Sequence, residues 1–204
     1  MANKTGIAPS NKHRIQGRTS ESFIDARDVV SRLNLKGNEV FMDAGCGDGH
    51  VAMIAHEMMG DDATIYALDI YEPSIEDMEN EIEEKGIKNI IPIQTNIAEE
   101  IDLPDNTVNI ILMINVFHGL MVQGNIDETI TELKRIVKPG GKIAIMDYKK
   151  MDVKHGPPLH ARRSPEELEE MFKRNGLKKI KVDNEIGEDL ENGLKSHYLI
   201  IFRK

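Results

Sequence analysis

The chain has 204 residues, of which 40% are hydrophobic and 30% charged, and this composition is typical of a soluble globular protein rather than a disordered or membrane-spanning one. A formal net charge of −9 opposes broad attraction to nucleic-acid phosphates or anionic lipid, and no apolar run approaches the roughly 20 residues of a bilayer-spanning helix. The single cysteine, Cys46, excludes an intrachain disulfide and a cysteine-based zinc site.

The N-terminal segment, residues 1–35, is predicted to contain a loose arm over 1–12 and a helix over 22–33. In the helix, Phe23, Ala26 and Val30 recur at helical spacing. The first residues lack the apolar stretch of a secretory signal, which favours a cytoplasmic location.

From residue 40 onward, short apolar runs alternate with amphipathic helical stretches, a pattern that predicts βαβ units and a parallel sheet. The predicted strands are 40–44, 64–69, 90–95, 108–116 and 142–148, and the predicted helices between them are 51–59, 74–85 and 125–137. The turn Pro139-Gly140-Gly141 is predicted to lead into the fifth strand.

The C-terminal region changes character. Ser164-Pro165-Glu166-Glu167 predicts a helix start, with Ser as N-cap and Pro in the first turn. Strand-like segments at 179–183 and 196–202 are separated by the loop-like segment 187–193 rather than by a helix, which predicts an antiparallel pair at one sheet edge. The predicted fold is α/β and doubly wound, with a mostly parallel seven-stranded sheet in a single domain; 36–150 form a core and 151–204 a C-terminal part.

The motif with the clearest chemistry follows the first strand and reads Asp43-Ala-Gly45-Cys46-Gly47-Asp-Gly49. Glycines let the chain turn sharply and let a ligand approach the backbone beyond the carboxyl end of the strand. A dinucleotide fingerprint requires glycine at position 50, where this chain has His50. The alternative to a ligand loop is a tight strand-to-helix turn that binds nothing.

The D-x-G-x-G-x-G pattern resembles the first motif of class I S-adenosylmethionine-dependent methyltransferases. The resemblance implies a Rossmann-like methyltransferase fold and S-adenosylmethionine as cofactor, with S-adenosylhomocysteine as product. It also implies that Asp43 faces the methionine amino group and that Gly45 and Gly47 pass close to the cofactor. The full predicted cofactor-binding set comprises Asp43, Gly45, Cys46, Gly47, Gly49, Asp69, Ile70, Asn96, Ile97 and Asn115.

Two further strand ends contribute to this set. Asp69 ends the second strand, where a carboxylate can accept hydrogen bonds from both ribose hydroxyls of an adenosine; its alternative role is a helix N-cap before Pro73-Ser74. Asn96 follows the third strand, where the family usually has an aspartate that contacts adenine. Its amide oxygen can accept the same bond, and a plain turn asparagine is the alternative.

The fourth strand leads to Asn115 and His118, which the resemblance brings near the sulfonium. Residues 147–150 and 156–164 look similar to the small methyltransferases grouped with ubiquinone/menaquinone-biosynthesis enzymes. This narrower resemblance implies that 156–158 cross the mouth of the site and that a set of basic residues faces the acceptor: His155, His160, Arg162 and Arg163. The alternative is a rigid surface loop with solvated charges.

Methyl transfer from a sulfonium mainly requires alignment of the reacting atoms and exclusion of water. If the acceptor must lose a proton, His118 or His160 is the candidate base. No metal site is predicted, because no two histidines have i,i+4 spacing. The leading hypothesis is a small-molecule methyltransferase that binds neither membrane nor nucleic acid; the alternatives are a protein or RNA methyltransferase and a non-catalytic S-adenosylmethionine-binding regulatory protein.

Overall fold

The computed structural model describes residues 24–124, 126–151 and 156–204. The predicted arm, the start of the predicted first helix and His155 lie outside the described residues. The described part of that helix, α1, spans Ala26–Ser31. Its N-cap is Asp25, whose side chain accepts a hydrogen bond from the Asp28 amide at 3.0 Å, so the helix begins with a charge-assisted cap.

Seven strands form one sheet in the order β3-β2-β1-β4-β5-β7-β6. Their bounds are β1 Val40–Ala44, β2 Thr64–Asp69, β3 Ile90–Gln94, β4 Val108–Ile114, β5 Val137–Tyr148, β6 Lys178–Asp189 and β7 Lys195–Arg203. The first five strands pair in parallel, whereas β7 runs antiparallel to both β5 and β6. The predicted mostly parallel sheet with an antiparallel C-terminal pair is confirmed.

Six α-helices in the described residues complete the fold. They are α1, α2 His50–Met59, α3 Glu72–Lys85, α4 Phe117–Gln123, α5 Ile126–Ile136 and α6 Pro165–Arg174, and a 3-10 helix spans Leu159–Ala161. The predicted start of α6 is confirmed as a capping box: Ser164 accepts from the Glu167 amide, and the Glu167 carboxylate accepts from the Ser164 amide at 2.7 Å.

The helices cover both faces of the sheet, as a doubly wound fold requires. Val29 of α1, Ala55 of α2 and Met78 of α3 are buried in one apolar cluster. Ile130 of α5 and Phe172 of α6 are buried in a second cluster, on the opposite face. Within the described part of the chain, no helix is both long and apolar enough to cross a bilayer.

Three predicted boundaries were wrong for identifiable reasons. β4 ends at Ile114 rather than at 116, because Asn115 has a left-handed φ of +57° that a strand cannot accommodate. α4, which was not predicted, begins two residues later. β5 begins at Val137, although its regular pairing with β4 starts at Lys142, after an irregularity that contains the Pro-Gly-Gly turn. β6 extends to Asp189, through three register shifts, into the segment predicted as a loop.

The two edge strands are both irregular. β3, at one edge, contains Pro92, which has no backbone N–H to donate. β6, at the other edge, pairs with β7 in a register that shifts between Lys179 and Lys181 and twice more before Asp189.

The carboxyl edge of the parallel strands collects the predicted site residues. β1 and β4 are neighbours although they are not consecutive, and open α/β sheets bind ligands in the crevice at such a reversal of strand order. Because β7 is antiparallel, its first residues lie at the same edge: Tyr148, the last residue of β5, pairs with His197.

Candidate active site

The turn from β1 into α2 is built on three left-handed glycines: Gly45, Gly47 and Gly49 have φ values of +85°, +55° and +82°. A Cβ on Gly45 would lie 2.4 Å from the Val116 side chain, and one on Gly49 would lie 2.7 Å from that of Met78. No described atom lies within 4 Å of the position that a Cβ on Gly47 would take. Gly45 and Gly49 therefore pack against protein, whereas Gly47 leaves space for close approach of a ligand.

Backbone hydrogen bonds fix this loop to the end of β2. The amides of Gly45 and Cys46 both donate to the Leu68 carbonyl, at 2.7 and 2.9 Å. The Gly47 amide donates to Asp69 Oδ2 at 2.8 Å. The Cys46 thiol is buried in the apolar cluster on the α1–α3 face, so this residue can reach a ligand only through its backbone.

Asp43, at the penultimate position of β1, is a buried carboxyl group, and its Oδ2 has no hydrogen-bond partner among the described residues. Burial raises the pKa of this carboxyl to about 8, and the negative charges of Asp69 and Asp48 add to the effect. A buried carboxylate with an unpaired oxygen is unstable by itself and is stabilised by a cationic hydrogen-bond donor. This geometry fits a ligand with an ammonium group.

Asp69 ends β2 and is half-buried beside the glycine loop. Its Oδ1 accepts from the Tyr71 amide at 2.9 Å, and its Oδ2 accepts from Gly47. Each carboxylate oxygen can accept a second hydrogen bond, so the group can still bind two hydroxyls. The N-cap position of α3 belongs to Tyr71, so the alternative role of Asp69 as that N-cap was wrong. The next residue, Ile70, leaves 47% of its surface exposed beside these polar groups.

The end of β3 favours the plain-turn alternative for Asn96. Its Oδ1 accepts from the Ala98 amide at 3.1 Å, and its Nδ2 donates to Glu99 at 2.8 Å. Both ends of the carboxamide therefore serve a local turn, which weakens the predicted adenine contact. Ile97 is 7% exposed and packs in the second apolar cluster, so it can offer only the edge of its side chain to a ligand.

His118 lies in the first turn of α4 and is held by a buried aspartate at the end of β5. Its Nδ1 lies 2.9 Å from Asp147 Oδ1, and its backbone amide donates to Asp147 Oδ2 at 2.9 Å. The Tyr148 amide donates to the same carboxylate at 2.7 Å. A carboxylate only accepts, so Nδ1 carries a proton, and in the neutral form of the ring Nε2 has a free lone pair. With 18% of its side chain exposed, His118 remains accessible to a substrate.

Asn115 directly follows β4 and lies between the glycine loop and His118. The next residue, Val116, contacts the glycine loop, and His118 comes two residues after Val116. Its Oδ1 lies 3.1 Å from Nε2 of His197, which is fully buried on β7. Burial lowers the pKa of His197 to about 4, so this imidazole is neutral at physiological pH.

Residues 156–163, called the strap below, cross the ring of Tyr148. A Cβ on Gly156 would lie 2.7 Å from that ring, and the Arg162 guanidinium carbon lies 5.5 Å from its centroid. Arg162 is 5% exposed, and its Nε donates to the Pro157 carbonyl at 2.8 Å, with further bonds to the carbonyls of Lys149 and Met151. The prediction that Arg162 faces the acceptor was wrong, because its guanidinium holds the strap backbone.

The remaining basic residues of the strap lie at the surface. His160 is exposed on the 3-10 helix, which packs against α4. Arg163 donates to the carbonyl of His160 and to that of Arg162, both at 2.8 Å. The structure therefore brings His118, but not the His160 side chain, into the hydrogen-bonded cluster at the sheet edge.

Asp147 and His197 are two site residues that the sequence did not reveal. Asp147 lies one residue before the end of a parallel strand and Asp69 ends one, so the rule that identified Asp69 could have identified Asp147 too. His197 directly precedes the apolar run of β7, Tyr198–Phe202, and a single histidine at the start of a strand gives no signal. Among the described residues, no three His, Cys, Asp or Glu side chains converge as a metal site would require.

Comparisons with known proteins find methyltransferases. The chain is 25% identical over 123 residues to the ubiquinone/menaquinone biosynthesis C-methyltransferase UbiE of Cupriavidus pinatubonensis, which covers 60% of this chain and 49% of that protein. It is 27% identical over 120 residues to the demethylmenaquinone methyltransferase of a Geobacillus species, covering 59% and 50%. The chain thus spans about half the length of the curated relatives it matches.

Among solved structures, a SAM-dependent methyltransferase from Aquifex aeolicus superposes with a TM-score of 0.77 at 25% identity. That match covers 97% of this chain and 98% of the other. A family model described as a methyltransferase domain matches residues 35–196, from the segment before β1 to the start of β7. The chain belongs to this methyltransferase-domain family.

Proposed function

We propose that the chain transfers a methyl group from S-adenosylmethionine to a small-molecule acceptor. The observation that carries the proposal is the unpaired Oδ2 of Asp43, which is buried beneath a glycine loop with open space at Gly47. When bound, S-adenosylmethionine supplies an electrophilic methyl group on a sulfonium. Its methionine end carries an ammonium group. That group can donate to Asp43 Oδ2, which has no partner among the described residues.

The neighbouring residues fit the other parts of the cofactor. Asp69 has one free acceptor position on each oxygen for the ribose hydroxyls. Ile70 exposes 47% of an apolar side chain beside it, a surface that an adenine ring would cover. On the adenine side, Ile97 offers the edge of an apolar side chain and Asn96 forms the adjacent turn. Asn115 lies near the methyl group that is transferred.

The acceptor side of the proposal rests on His118 and Asp147. Asp147 fixes the imidazole ring and the Nδ1–H tautomer, so Nε2 can take a proton from an acceptor hydroxyl or an acidic carbon. The other task of the chain is alignment: the strap and α4 enclose the acceptor end and limit water there. His160, on the exposed 3-10 helix, stays a weaker candidate for the base.

A small-molecule acceptor is supported by two observations. The curated relatives are named for quinone methylation, and the net charge of −9 opposes an RNA acceptor. We further propose that residues 1–204 act as one domain, in which 36–150 form the cofactor-binding core, with His118 and Asp147 at its acceptor end, and 151–204 add an acceptor-side loop, helix and strand pair. A cytoplasmic location is compatible with the single buried cysteine.

Calorimetric titration tests the cofactor half. We expect the protein to bind S-adenosylmethionine and S-adenosylhomocysteine, and Asp43→Ala and Asp69→Ala to weaken binding at least about tenfold, because each removes charge-assisted hydrogen bonds. Asp62→Asn is the matched control, since Asp62 is exposed at the opposite end of β2. Absence of binding by the unmodified protein would refute the proposal.

Incubation of the protein with methyl-labelled cofactor and fractionated cell extract tests the acceptor half. We expect label in the small-molecule fraction. Label confined to RNA or protein would replace the small-molecule assignment with the corresponding macromolecular one. Tight cofactor binding with no label in any fraction would favour a regulatory cofactor-binding protein.

A further inference from the structure

His197 belongs to a buried hydrogen-bonded chain that the methyl-transfer proposal does not use. The Glu188 amide donates to Ser196 Oγ at 2.9 Å, Ser196 Oγ lies 2.6 Å from His197 Nδ1, and His197 Nε2 lies 3.1 Å from Asn115 Oδ1. Ser196 and His197 are 1% and 0% exposed. This chain links the far edge of the sheet, β6, to the end of β4.

The direction of each bond follows from the groups involved. The 2.6 Å separation is shorter than an N–H donor usually makes and fits the Ser196 hydroxyl as donor to Nδ1. His197 is neutral, because burial holds its pKa at about 4 against the opposing effect of Asp147. A neutral imidazole with Nδ1 as acceptor carries its proton on Nε2, and that proton is donated to Asn115 Oδ1.

The carboxamide of Asn115 is thereby fixed in one of its two orientations. With Oδ1 held by His197, the Nδ2 group carries the two free N–H donors, and Nδ2 has no partner within 24–124, 126–151 and 156–204. Asn115 reaches past the end of β5 towards β7, on the side of His118 and Asp147 and away from the glycine loop on β1. The donors therefore lie on the acceptor side of the site.

We propose that His197 is a positioning residue, which holds Asn115 so that its Nδ2 donates to an oxygen atom of the acceptor substrate. This inference rests on the proposed function, and it adds that the acceptor carries an oxygen close to the atom that is methylated. Ring packing holds His197 in place: the ring centroids of Tyr148 and His197 are 4.0 Å apart, and Tyr148 shields the imidazole from solvent. β6 closes the other side, where a Cβ on Gly187 would lie 2.5 Å from Nδ1.

Nuclear magnetic resonance tests the hydrogen-bond direction without any acceptor. In the ¹⁵N-labelled protein, long-range correlation spectra of the histidine rings should show His197 as the neutral Nε2–H tautomer from pH 5 to 8. The titratable and charged groups that face it are Asp147, which raises its pKa, and His118, Arg162 and Lys149, which lower it. An Nδ1–H tautomer or a charged ring would overturn the proposal, because Asn115 would then be oriented differently or held by a charge.

Activity separates positioning from folding. We expect His197→Leu to bind S-adenosylhomocysteine within about twofold of the unmodified protein, yet to lower methyl incorporation from extract at least about tenfold. Asn115→Asp should lower methyl incorporation at least about tenfold more than it lowers S-adenosylhomocysteine binding. Asp at position 115 still accepts from His197 and tolerates the left-handed φ, but it offers no N–H donor. His197→Gln, which can donate to Asn115, should recover part of the loss. His56→Gln, a half-buried histidine of α2, is the control.

The outcomes distinguish the two proposals. Equal loss of S-adenosylhomocysteine binding and methyl transfer in His197→Leu would overturn the positioning role, as would unchanged transfer in Asn115→Asp. If the unmodified protein binds no cofactor or transfers no methyl group, the proposed function fails first, and the tautomer measurement still decides whether His197 orients Asn115.

Discussion

Replacing Asp43 by asparagine is expected to stabilise the ligand-free protein while it weakens cofactor binding at least about tenfold. The carboxyl is 2% exposed, its Oδ2 has no partner among the described residues, and Asp69 and Asp48 add negative charge nearby. Asparagine has almost the same shape and is uncharged at every pH. It therefore removes the desolvation cost of the carboxylate, but it also removes the charge that would hold an ammonium group.

The size of the effect follows from the pKa of Asp43, which is about 8 in the folded protein against an ordinary value of 3.8. Between these values the folded state binds a proton that the unfolded state has lost. The native protein consequently loses about 1.4 kcal/mol of stability per pH unit as pH rises from about 4 to 8. Asp43→Asn does not have this pH dependence. Its free energy of unfolding, relative to that of the unmodified protein, therefore increases by up to about 3 kcal/mol between pH 5 and 7. For a chain of this length that corresponds to about 6–12 °C in the difference between the two melting temperatures.

Thermal unfolding followed by circular dichroism at pH 5, 6, 7 and 8 measures this difference. Asp62→Asn should melt in parallel with the unmodified protein over the whole range. S-adenosylmethionine at one fixed concentration should raise the melting temperature of the unmodified protein more than that of Asp43→Asn, because weaker binding stabilises less. Parallel pH curves for Asp43→Asn and the unmodified protein would refute the reasoning, since the buried carboxyl would then carry no pKa shift.

Three other substitutions test separate parts of the structure. Asp147→Asn should leave S-adenosylhomocysteine binding intact and lower methyl transfer about a hundredfold, because His118 loses the carboxylate that fixes its tautomer; unchanged transfer would exclude His118 as the base. Gly187→Ala should displace His197 and reduce methyl transfer, because its Cβ would lie 2.5 Å from Nδ1 and its φ of +89° disfavours any side chain; a crystal structure with His197 unmoved would contradict this. Ser164→Ala removes the α6 cap and should lower the free energy of unfolding by about 1 kcal/mol in urea titrations without changing cofactor binding; a larger binding defect would show that α6 contributes to the site.

The sequence predicted the strands wherever a buried run has clear ends. The bounds predicted for β1 and β2 are those of the structure: Glu39 and Gly45 flank β1, and the apolar part of β2 lies between Asp62 and Asp69. The predicted end of β4 was wrong because apolar residues continue from the strand into α4. Only the left-handed backbone conformation of Asn115 separates the two elements. Hydrophobicity alone does not encode a change from strand to helix.

The site was predictable on the cofactor side and less so on the acceptor side. The glycine loop and Asp69 are close in sequence and follow a spacing rule that local geometry imposes. The acceptor side is assembled from β4, β5 and β7, so the contact of Asn115 with His197 spans 82 residues, and no local pattern records it. For Arg162 the sequence predicted a site role that the structure does not support. The residue lies in a segment that reads as surface, yet it is 5% exposed and its guanidinium donates to backbone carbonyls.

The irregular sheet edges have a consequence for self-association. An edge strand with a continuous row of free N–H and C=O groups can recruit the edge of a second molecule and extend the sheet between chains. In β3 the proline at position 92 interrupts that row, and in β6 three register shifts between Lys179 and Asp189 twist it out of line. Both ends of the sheet therefore resist strand-to-strand joining between two copies of the chain.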